Sequence, residues 1–476
     1  MGTLTETNPS LWVRTTGPPP TYGPLAGDVT VDVCVVGAGI AGLTAARLLA
    51  AEGATVAVID AGPVCAGVTG YTTAKITSLH SLIYASLRQS FGSEAAHAYA
   101  SANETAIRKI TELAHLDGID CELEAAAAFT YTRDPDQVQT IEQEVEAATE
   151  AGLLASFTTQ TELPYDVIGA IRVDDQAQFH PRKFCLGLAE AIAAADGAVH
   201  ERTRALELDG RTVVTDRGRI TADAVVVTTH IPFVDTGAYF GRMEPKRSYA
   251  LAARVRGERP RGMYISVEEP TRSIRSTAEG WLVISGEGHK VGHDDDTRQR
   301  YAALEAWTAE TFDTEPIEHR WSAQDYQPAD GLPFVGRLPG HDGAFLATGF
   351  GKWGMTNGVA SAMILSDLVQ GRANPWAETF DSTRVAPKQS AKGVVSENVD
   401  VAKRFVGDRL AGMRAPDADE LAPGEGGIVS LEGDTVAAFR DDAGALHALS
   451  PTCTHLGCRV SFNTAERSWD LSLIHI

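Results

Sequence analysis

The stretch from Val29 to Asp60 constrains the fold of this chain more than any other part of the sequence. Residues 31–36 form an apolar run typical of a buried strand, and the glycine-rich turn Gly37-Ala-Gly39-Ile-Ala-Gly42 follows at once. A helical run at 43–51 comes next, and a second apolar strand at 54–60 ends in an acid. This order predicts a dinucleotide-binding β-α-β unit, and the alternation of strand-like and helix-like runs that begins here predicts an α/β domain.

The glycines of this turn have distinct physical roles. Gly37 permits a tight turn, Gly39 lets the backbone approach a pyrophosphate, and Gly42 allows the helix to pack closely on the strand. Free N–H groups and the helix dipole at the helix N-terminus favour that pyrophosphate. Asp60 is placed to accept hydrogen bonds from a ribose, and its charge disfavours a 2′-phosphate and therefore NADP. The motif alone does not distinguish FAD from NAD.

Near the C-terminus, the run Cys453-Thr-His455-Leu-Gly-Cys458 brings together side chains that bind metals. Cys-x-His followed by a further Cys resembles the first half of a Rieske iron–sulfur motif, whose cluster needs two Cys and two His ligands. We therefore predict Cys453 and His455 as ligands of a [2Fe-2S] cluster. The second ligand pair, Cys-x-x-His, does not follow, so the predicted metal site is partial.

The last six residues, Leu471-Ser-Leu-Ile-His475-Ile476, look foreign to the protein. Their natural back-translation matches a transposon end that is used as a sequencing adapter. We therefore interpret residues 471–476 as an artefact that is not part of the fold. On this interpretation the natural protein is longer, and we expect little or no [2Fe-2S] cluster in this chain.

Charge and leader properties narrow the classes of partner. The chain of 476 residues has a formal net charge of −22, which argues against binding to nucleic acid or to anionic membranes. Its first residues lack the basic and apolar regions of a secretory signal, and its six scattered cysteines predict no disulfide framework. We therefore expect a cytoplasmic protein with no membrane association.

Composition and turn residues divide the chain into regions. Residues 1–28 form an irregular N-terminal extension, and the main domain spans 29–385. Within it we predict a charged, solvent-facing helix at 137–151, a β-meander at 205–229, and one helix at 297–312 among short strands. Residues 386–425 have the composition of a linker, and short strands at 426–470 predict a small all-β module.

Three further stretches resemble one known enzyme family. They are Gly67-Val-Thr-Gly-Tyr71-Thr72-Thr73-Ala74-Lys75, Ala222-Asp-Ala-Val-Val-Val-Thr228-Thr229-His230, and the segment at 321–358. Together with the first turn, they are similar to the FAD-dependent oxidoreductases of the D-amino-acid oxidase and glycine oxidase (DAO) superfamily, in the subgroup fused to a C-terminal Rieske domain. The resemblance implies a Rossmann-type FAD-binding domain interleaved with an antiparallel-sheet substrate domain, followed by a partial small all-β Rieske domain. It also implies that Cys458 joins a disulfide rather than the cluster.

The resemblance assigns several residues to the flavin. It implies that Thr72, Thr73 and Lys75 contact the phosphates or the ring. A second G-x-G-x-x-G, at 349–354, could be interpreted as an NAD site. In the family, however, this turn contacts the same FAD. The resemblance therefore assigns to the flavin Gly349, Gly351, Trp353, Gly354, Met355 and Thr356. In the family the following helix points its N-terminus at the pyrimidine edge of the flavin, where its dipole favours the charge of the reduced ring. We predict this helix at 359–370, with Asn357 as its N-cap.

On the substrate side, Gly286-Glu-Gly288-His289-Lys290 resembles the stretch that places a lysine beside flavin N5 in relatives similar to sarcosine oxidase. The resemblance implies that Lys290 governs reoxidation by oxygen, with His289 nearby; a strand end with solvated side chains is the alternative. His180 and Arg275 are further candidates for the substrate side.

Two departures from relatives that oxidise amino acids bear on the substrate. Met355-Thr356-Asn357 stands where some relatives place a basic residue for the substrate carboxylate, and Gln324 stands where some attach the flavin through Cys. These departures argue against a plain α-amino acid as substrate and favour a dissociable FAD.

The expected protein is therefore an FAD-dependent oxidoreductase, an oxidase or a dehydrogenase. We expect it to oxidise an amine or a related C–N substrate by hydride transfer and, in the intact protein, to pass electrons to a Rieske cluster, with oxygen or a redox partner protein as final acceptor. Two alternatives stay open. One is a pyridine-nucleotide-dependent ferredoxin reductase, which would need a separate NAD motif; the other is a non-enzymatic flavin protein whose C-terminal Cys and His residues bind a metal such as zinc.

Overall fold

The computed structural model describes residues 8–291, 296–385, 415–452 and 460–470. The predicted cluster ligands Cys453 and His455, the predicted disulfide residue Cys458 and residues 471–476 lie outside the described residues. Most of the predicted linker, up to residue 414, lies outside them as well.

The helices of the described residues are α1 Leu11–Thr15, α2 Ile40–Ala51, α3 Ile83–Phe91, α4 Ser93–Leu116, α5 Val138–Glu150, α6 Pro181–Ala194, α7 Arg298–Thr311, α8 Gly354–Val369 and α9 Ala377–Phe380. The strands are β1 Val29–Val36, β2 Val56–Ile59, β3 Lys75–Ile76, β4 Glu124–Thr132, β5 Ala155–Thr158, β6 Gly169–Gln178, β7 Ala198–His200, β8 Ala205–Asp209, β9 Thr212–Thr215, β10 Arg219–Val227, β11 Met243–Arg254, β12 Met263–Ser266, β13 Arg272–Ser276, β14 Trp281–Lys290, β15 His319–Pro328, β16 Phe334–Arg337, β17 Ala344–Thr348, β18 Gly426–Leu431, β19 Asp434–Arg440, β20 Leu446–Leu449, β21 Ser461–Asn463 and β22 Ser468–Asp470.

The first sheet is built around the predicted β-α-β unit. Its strands follow the order β16-β17-β10-β1-β2-β7, and all neighbours from β17 to β7 pair in parallel. The second half of β1 is buried on both faces, because Val33 and Val35 pack with α2 and α8 while Cys34 and Val36 face the side of the β8–β9 hairpin. The predicted meander at 205–229 is confirmed as β8, β9 and β10.

The second sheet lies beside the first and is largely antiparallel. Its strand order is β15-β11-β14-β13-β12-β4-β6-β3, and β5 pairs with β6. Its strands come from two stretches of chain on either side of β7–β10, so the two sheets are interleaved along the sequence as the resemblance implied. Strands β11, β14 and β15 are longer than the short strands predicted for this region.

The C-terminal region forms a small all-β unit, as predicted. Strands β18, β19 and β20 make a three-stranded antiparallel sheet, and β21 pairs with β22 as a hairpin. The first strand of the main domain begins at Val29 and the first strand of this unit at Gly426. The domain boundaries at 29–385 and 426–470 stay predictions.

Three local predictions were wrong in detail. Helix α8 begins at Gly354 instead of 359, so Asn357 lies inside its first turn with a buried side chain and is not the N-cap. Residues 1–28 are not wholly irregular, because α1 forms and buries Trp12. Helix α5 is not entirely solvent-facing: the buried Glu144 accepts hydrogen bonds from the backbone N–H groups of Tyr84 and Ala85, at 2.7 and 2.9 Å.

In the described part of the chain, Cys34, Cys65, Cys121 and Cys185 are all buried free thiols. None of the helices in the described ranges has the length and apolar character that crossing a bilayer requires.

Candidate active site

One cavity of about 1080 Å³ lies between the two sheets. The carboxyl ends of β1 and β2 form one end of it, together with the segment that follows β2. The loop before α8 and one face of the second sheet form the other end. Residues of both glycine-rich turns therefore line the same cavity.

The turn between β1 and α2 shows which glycine does what. A Cβ on Gly42 would lie 1.9 Å from the carbonyl oxygen of Gly37, and a Cβ on Gly37 would lie 2.6 Å from that of Thr228. Gly37 also has a φ of +113°, a conformation that favours glycine. A Cβ on Gly39 would meet only the Thr69 hydroxyl oxygen, at 3.1 Å. Gly37 and Gly39 line the cavity, whereas Gly42 serves the packing of α2 and does not reach the cavity.

Asp60 follows β2 and faces the same end of the cavity. Its two carboxylate oxygens accept hydrogen bonds from the backbone N–H groups of Ala38 and Gly62, each at 2.8 Å. Burial raises the pKa of this carboxyl, against the opposing effect of those two hydrogen bonds. Each oxygen keeps a further lone pair for a ligand hydroxyl, which is the arrangement that a ribose requires.

The segment after β2 places Thr72, Thr73 and Lys75 on the cavity wall. Lys75 is buried on β3, and its Nζ donates to the carbonyl oxygen of Tyr264 at 2.5 Å and to Ser273 Oγ at 2.7 Å. Burial, with a further contribution from the nearby Arg275, lowers the pKa of Lys75 to about 7. Its amine thus points to β12 and β13 of the second sheet rather than to the turn at the start of α2.

The second glycine-rich turn lies at the N-terminus of α8. Gly351, Trp353, Gly354 and Met355 line the cavity. Gly349 instead packs against its surroundings, since a Cβ there would lie 2.8 Å from Met243 Sδ and from a Pro328 carbon. The predicted flavin contact Thr356 is also turned away from the cavity.

A buried histidine, His80, packs against this turn, and no sequence pattern pointed to it. The His80 ring stacks on Trp353 with centroids 4.7 Å apart. Its Nε2–H donates to the carbonyl oxygen of Thr77 at 2.7 Å, and Nδ1 accepts from the Tyr99 hydroxyl at 2.5 Å. Thr356 Oγ1 donates to the same Thr77 oxygen at 2.9 Å. Burial lowers the pKa of His80 to about 3, so this ring is neutral and fixes the position of Trp353.

The residues predicted for the substrate side are not all brought together. Lys290 lines the cavity, with its Nζ 3.7 Å from Glu244 Oε1. His289, next in the strand, stacks on Tyr249 with centroids 5.7 Å apart at the cavity margin.

His180 and Arg275 lie elsewhere. His180 is the N-cap of α6, accepts from the backbone N–H of Lys183, and does not line the cavity. Arg275 is buried and donates to the carbonyl oxygen of Ala74 at 2.7 Å, behind the cavity wall. The structure gives both residues structural contacts, and it offers no support for a role of either on the substrate.

Further polar residues on the cavity wall were not predicted from the sequence. Lys352 Nζ donates to Ser248 Oγ at 2.8 Å, and the Lys352 backbone N–H donates to Asp325 Oδ2 at 2.8 Å. Desolvation by the surrounding protein lowers the pKa of Lys352, although the residue as a whole is exposed to solvent. Glu244, Lys246 and Ser248 alternate along β11 and all face the cavity, so the period-two spacing of polar residues in this strand was the available signal.

The arrangement fits an FAD molecule. Gly39 and the start of α2 offer backbone approach and free N–H groups for a pyrophosphate, and Asp60 offers lone pairs for a ribose. The N-terminus of α8 points into the other end of the same cavity, where its dipole favours negative charge on a bound ring. Within the described ranges, no group of three or more His, Cys, Asp or Glu side chains could hold a metal ion.

Two family models match the sequence. Residues 32–368 match the model described as FAD dependent oxidoreductase (DAO), and residues 413–471 match the Rieske [2Fe-2S] domain. The Bacillus subtilis (strain 168) protein YhfW, whose given name describes a Rieske 2Fe-2S iron-sulfur protein, is 36% identical over 97% of this chain and 92% of its own length.

Two further comparisons extend this picture. The gamma-glutamylputrescine oxidoreductase of Escherichia coli (strain K12) is 25% identical over 80% of this chain and 92% of its own length. The crystal structure of glycine oxidase from Geobacillus kaustophilus superimposes with a TM-score of 0.65 at 19% identity, over 75% of this chain and 99% of that one. The latter similarity concerns the fold of the two interleaved sheets.

Proposed function

The chain belongs to the DAO family of FAD dependent oxidoreductases and includes a Rieske [2Fe-2S] domain, and from this premise we propose that it oxidises a C–N bond of an amine. The family implies FAD and a [2Fe-2S] cluster as cofactors, and of the cluster ligands this sequence contains only the first predicted pair, Cys453 and His455. FAD, when bound, would supply the acceptor for a hydride from the carbon next to nitrogen, and a Rieske cluster would supply a one-electron acceptor. The residues of the chain bind and orient the amine and remove its proton.

The observation that most supports this proposal is the buried amine of Lys75. A neutral lysine has two N–H donors and one lone pair, and the bonds to Tyr264 and Ser273 use both donors. Because the pKa of Lys75 is lowered to about 7, much of this amine is neutral at physiological pH. We propose that its lone pair takes the proton from the nitrogen of an ammonium substrate, since C–N oxidation needs that nitrogen lone pair free.

The charged residues on β11 and β14, in the same sheet, fit a substrate with more than one polar group. Glu244 lies 3.3 Å from the Nζ of Lys246 and 3.7 Å from that of Lys290, so both signs of charge face the cavity. Glu269 lies on the same wall. This supports a polar amine, and the similarity to a gamma-glutamylputrescine oxidoreductase agrees with such a substrate class.

We further propose that Lys290 influences the reaction with oxygen, with His289 as its neighbour. The position of Lys290 on the cavity wall supports this role. Six further residues line the cavity, and on that ground we propose as contacts of the flavin Thr72, Thr73, Gly351, Trp353, Gly354 and Met355. The rates at which oxygen and a redox protein reoxidise the reduced flavin decide which of them is the final acceptor.

Anaerobic reduction of the bound flavin tests the proposal. The protein is mixed under argon with primary and secondary amines, with alcohols of matched shape, and with NADH, and the flavin absorbance is followed. We expect at least one polar amine to bleach the flavin while its matched alcohol does not. Bleaching by NADH alone would instead favour the ferredoxin reductase alternative, and bleaching by alcohols alone would exclude C–N oxidation.

A further inference from the structure

The hairpin β21–β22 of the Rieske domain packs directly on the catalytic domain. Arg247 of β11 forms an ion pair with Asp470, with Nη2 and Oδ1 2.7 Å apart. The side chains are only 2% and 6% exposed, so both charges are removed from water. Such a pair persists only where each charge has its partner, because an unpaired buried charge is costly.

Further contacts involve the rest of the hairpin. Thr297, at the start of α7, donates from Oγ1 to Asn463 Oδ1 at 2.7 Å. The backbone N–H of Ala465 donates back to Thr297 Oγ1 at 3.0 Å. Tyr301, one turn along α7, donates to Glu466 Oε1 at 2.6 Å. Both strands of the hairpin and its turn are therefore held, which is more than a single surface contact would give.

The hairpin and the cavity lie on opposite faces of the same sheet. Arg247 Nη1 donates to Ser322 Oγ at 2.8 Å and Nη2 to Gln324 Oε1 at 3.3 Å, both on the neighbouring strand β15. Because side chains alternate between the faces of a strand, the adjacent residues Ser248 and Asp325 face the cavity instead. A single layer of strands thus separates the Rieske hairpin from the wall of the cavity.

The hairpin is also close in sequence to the predicted cluster ligands. It begins at Ser461, three residues after Cys458. The hairpin also packs on the three-stranded sheet of the same unit, where Phe462 stacks on Phe439 with ring centroids 5.3 Å apart, so contacts that hold the hairpin also hold this sheet.

We propose that β21–β22 is a fixed docking element, which holds the Rieske domain on the outer face of the sheet whose inner face lines the cavity. Arg247 is the positioning residue: it joins Asp470 of the hairpin to Ser322 and Gln324 of the catalytic sheet. The proposal extends the proposed function, in which this domain takes up electrons, but it concerns the interface and can be tested without a substrate.

Hydrogen–deuterium exchange of the full chain tests the dock. We expect the amides of residues 461–470 to be protected, and Arg247→Met or Asp470→Asn to speed their exchange on the order of a hundredfold. The double variant Arg247→Met with Asp470→Leu should regain much of that protection, because it leaves no unpaired charge. A general loss of packing would not be rescued in this way.

Two further variants complete the experiment. Arg256→Met removes an exposed ion pair with Glu315. In the described ranges no hydrogen bond or ion pair joins these two residues to the hairpin, so exchange at 461–470 should stay unchanged. Tyr301→Phe removes only the hydrogen bond to Glu466 and should speed exchange mainly at the hairpin turn. If Arg247→Met does not fold, Asp470→Asn and Tyr301→Phe test the same interface.

Two results would overturn the dock: unprotected amides at 461–470 in the unaltered chain, or protection that none of the single interface variants changes. Because exchange is read without substrate, a chain that oxidises no amine but keeps a protected hairpin would refute the proposed function alone.

Discussion

Single residues set the chemistry of the cavity, and Lys75 is the clearest example. The sequence predicted that this residue lies at the flavin, because its motif resembles the family. The sequence could not show that its amine crosses to Tyr264 and Ser273, because these partners lie far along the chain. The lowered pKa follows from burial, which is a property of the folded state. For the same reason His80, which depends on partners from α4 and α8, was missed.

Replacing Lys75 by Met should slow anaerobic reduction of the flavin by an amine by about a hundredfold or more, the usual contribution of a positioned base. Stopped-flow absorbance measures this rate. Lys109→Met, which alters only an exposed ion pair with Glu112, is the control. Equal rates for Lys75→Met and the unaltered chain would rule out the proposed proton transfer.

The pH dependence of the same reaction should report Lys75. Because the amine accepts a proton only when neutral, the reduction rate should rise with pH up to about 7 and then level off. The stability of the fold should also rise with pH. The folded pKa of Lys75 lies below its unfolded value of about 10.4, so its contribution to the free energy of unfolding rises between about pH 7 and about pH 10.4. Both effects should disappear in Lys75→Met, and a rate profile with the same step near pH 7 in that variant would assign the step to another group.

Lys290→Met tests the predicted role in reoxidation. We expect the anaerobically reduced flavin to react with oxygen at least about tenfold more slowly, because a positive charge beside the ring is lost. Reduction by substrate should change much less. Lys246, which pairs directly with Lys290 across β11 and β14, provides the matched comparison. If Lys246→Met slows reoxidation to the same extent, the effect belongs to the overall charge and not to the position of Lys290.

At the scale of secondary structure elements, the sequence predicted correctly the units that depend on local residue spacing. The β1–α2–β2 unit and the β8–β10 meander were predicted because strand, turn and helix signals are adjacent in sequence. The start of α8 was predicted too late, because Asn357 is a good N-cap by residue type but is buried beside Tyr99. Tertiary packing overrode the local preference there.

Gly42→Ala tests the packing of α2 on β1. The added Cβ would lie 1.9 Å from the Gly37 carbonyl oxygen, so we expect α2 to shift, at a cost of about 1–3 kcal/mol or more in the free energy of unfolding. Bound FAD should be lost as well, although Gly42 does not line the cavity. Thermal unfolding and flavin content measure the two effects. Gly23→Ala, where a Cβ would meet nothing within 4 Å, is the control, and an unchanged Gly42→Ala protein would contradict the packing argument.

At the scale of the whole molecule, the arrangement of the two sheets could be predicted only through the family resemblance. That resemblance, the fold class and the enzyme class are confirmed by the family matches over 32–368 and 413–471. The second sheet joins strands from residues 75–178 and 243–328, and no local pattern in either stretch shows that they pair. The docking of β21–β22 on β11 is of the same kind, since Arg247 and Asp470 are far apart in sequence.

The most direct test of the central claim, that one cavity formed by both glycine-rich turns holds the flavin, is the flavin content of the purified protein. The absorbance spectrum and chromatography of the released cofactor should show about one FAD per chain, not covalently attached. A protein that is folded but colourless, and that remains so after reconstitution with FAD, would contradict the claim.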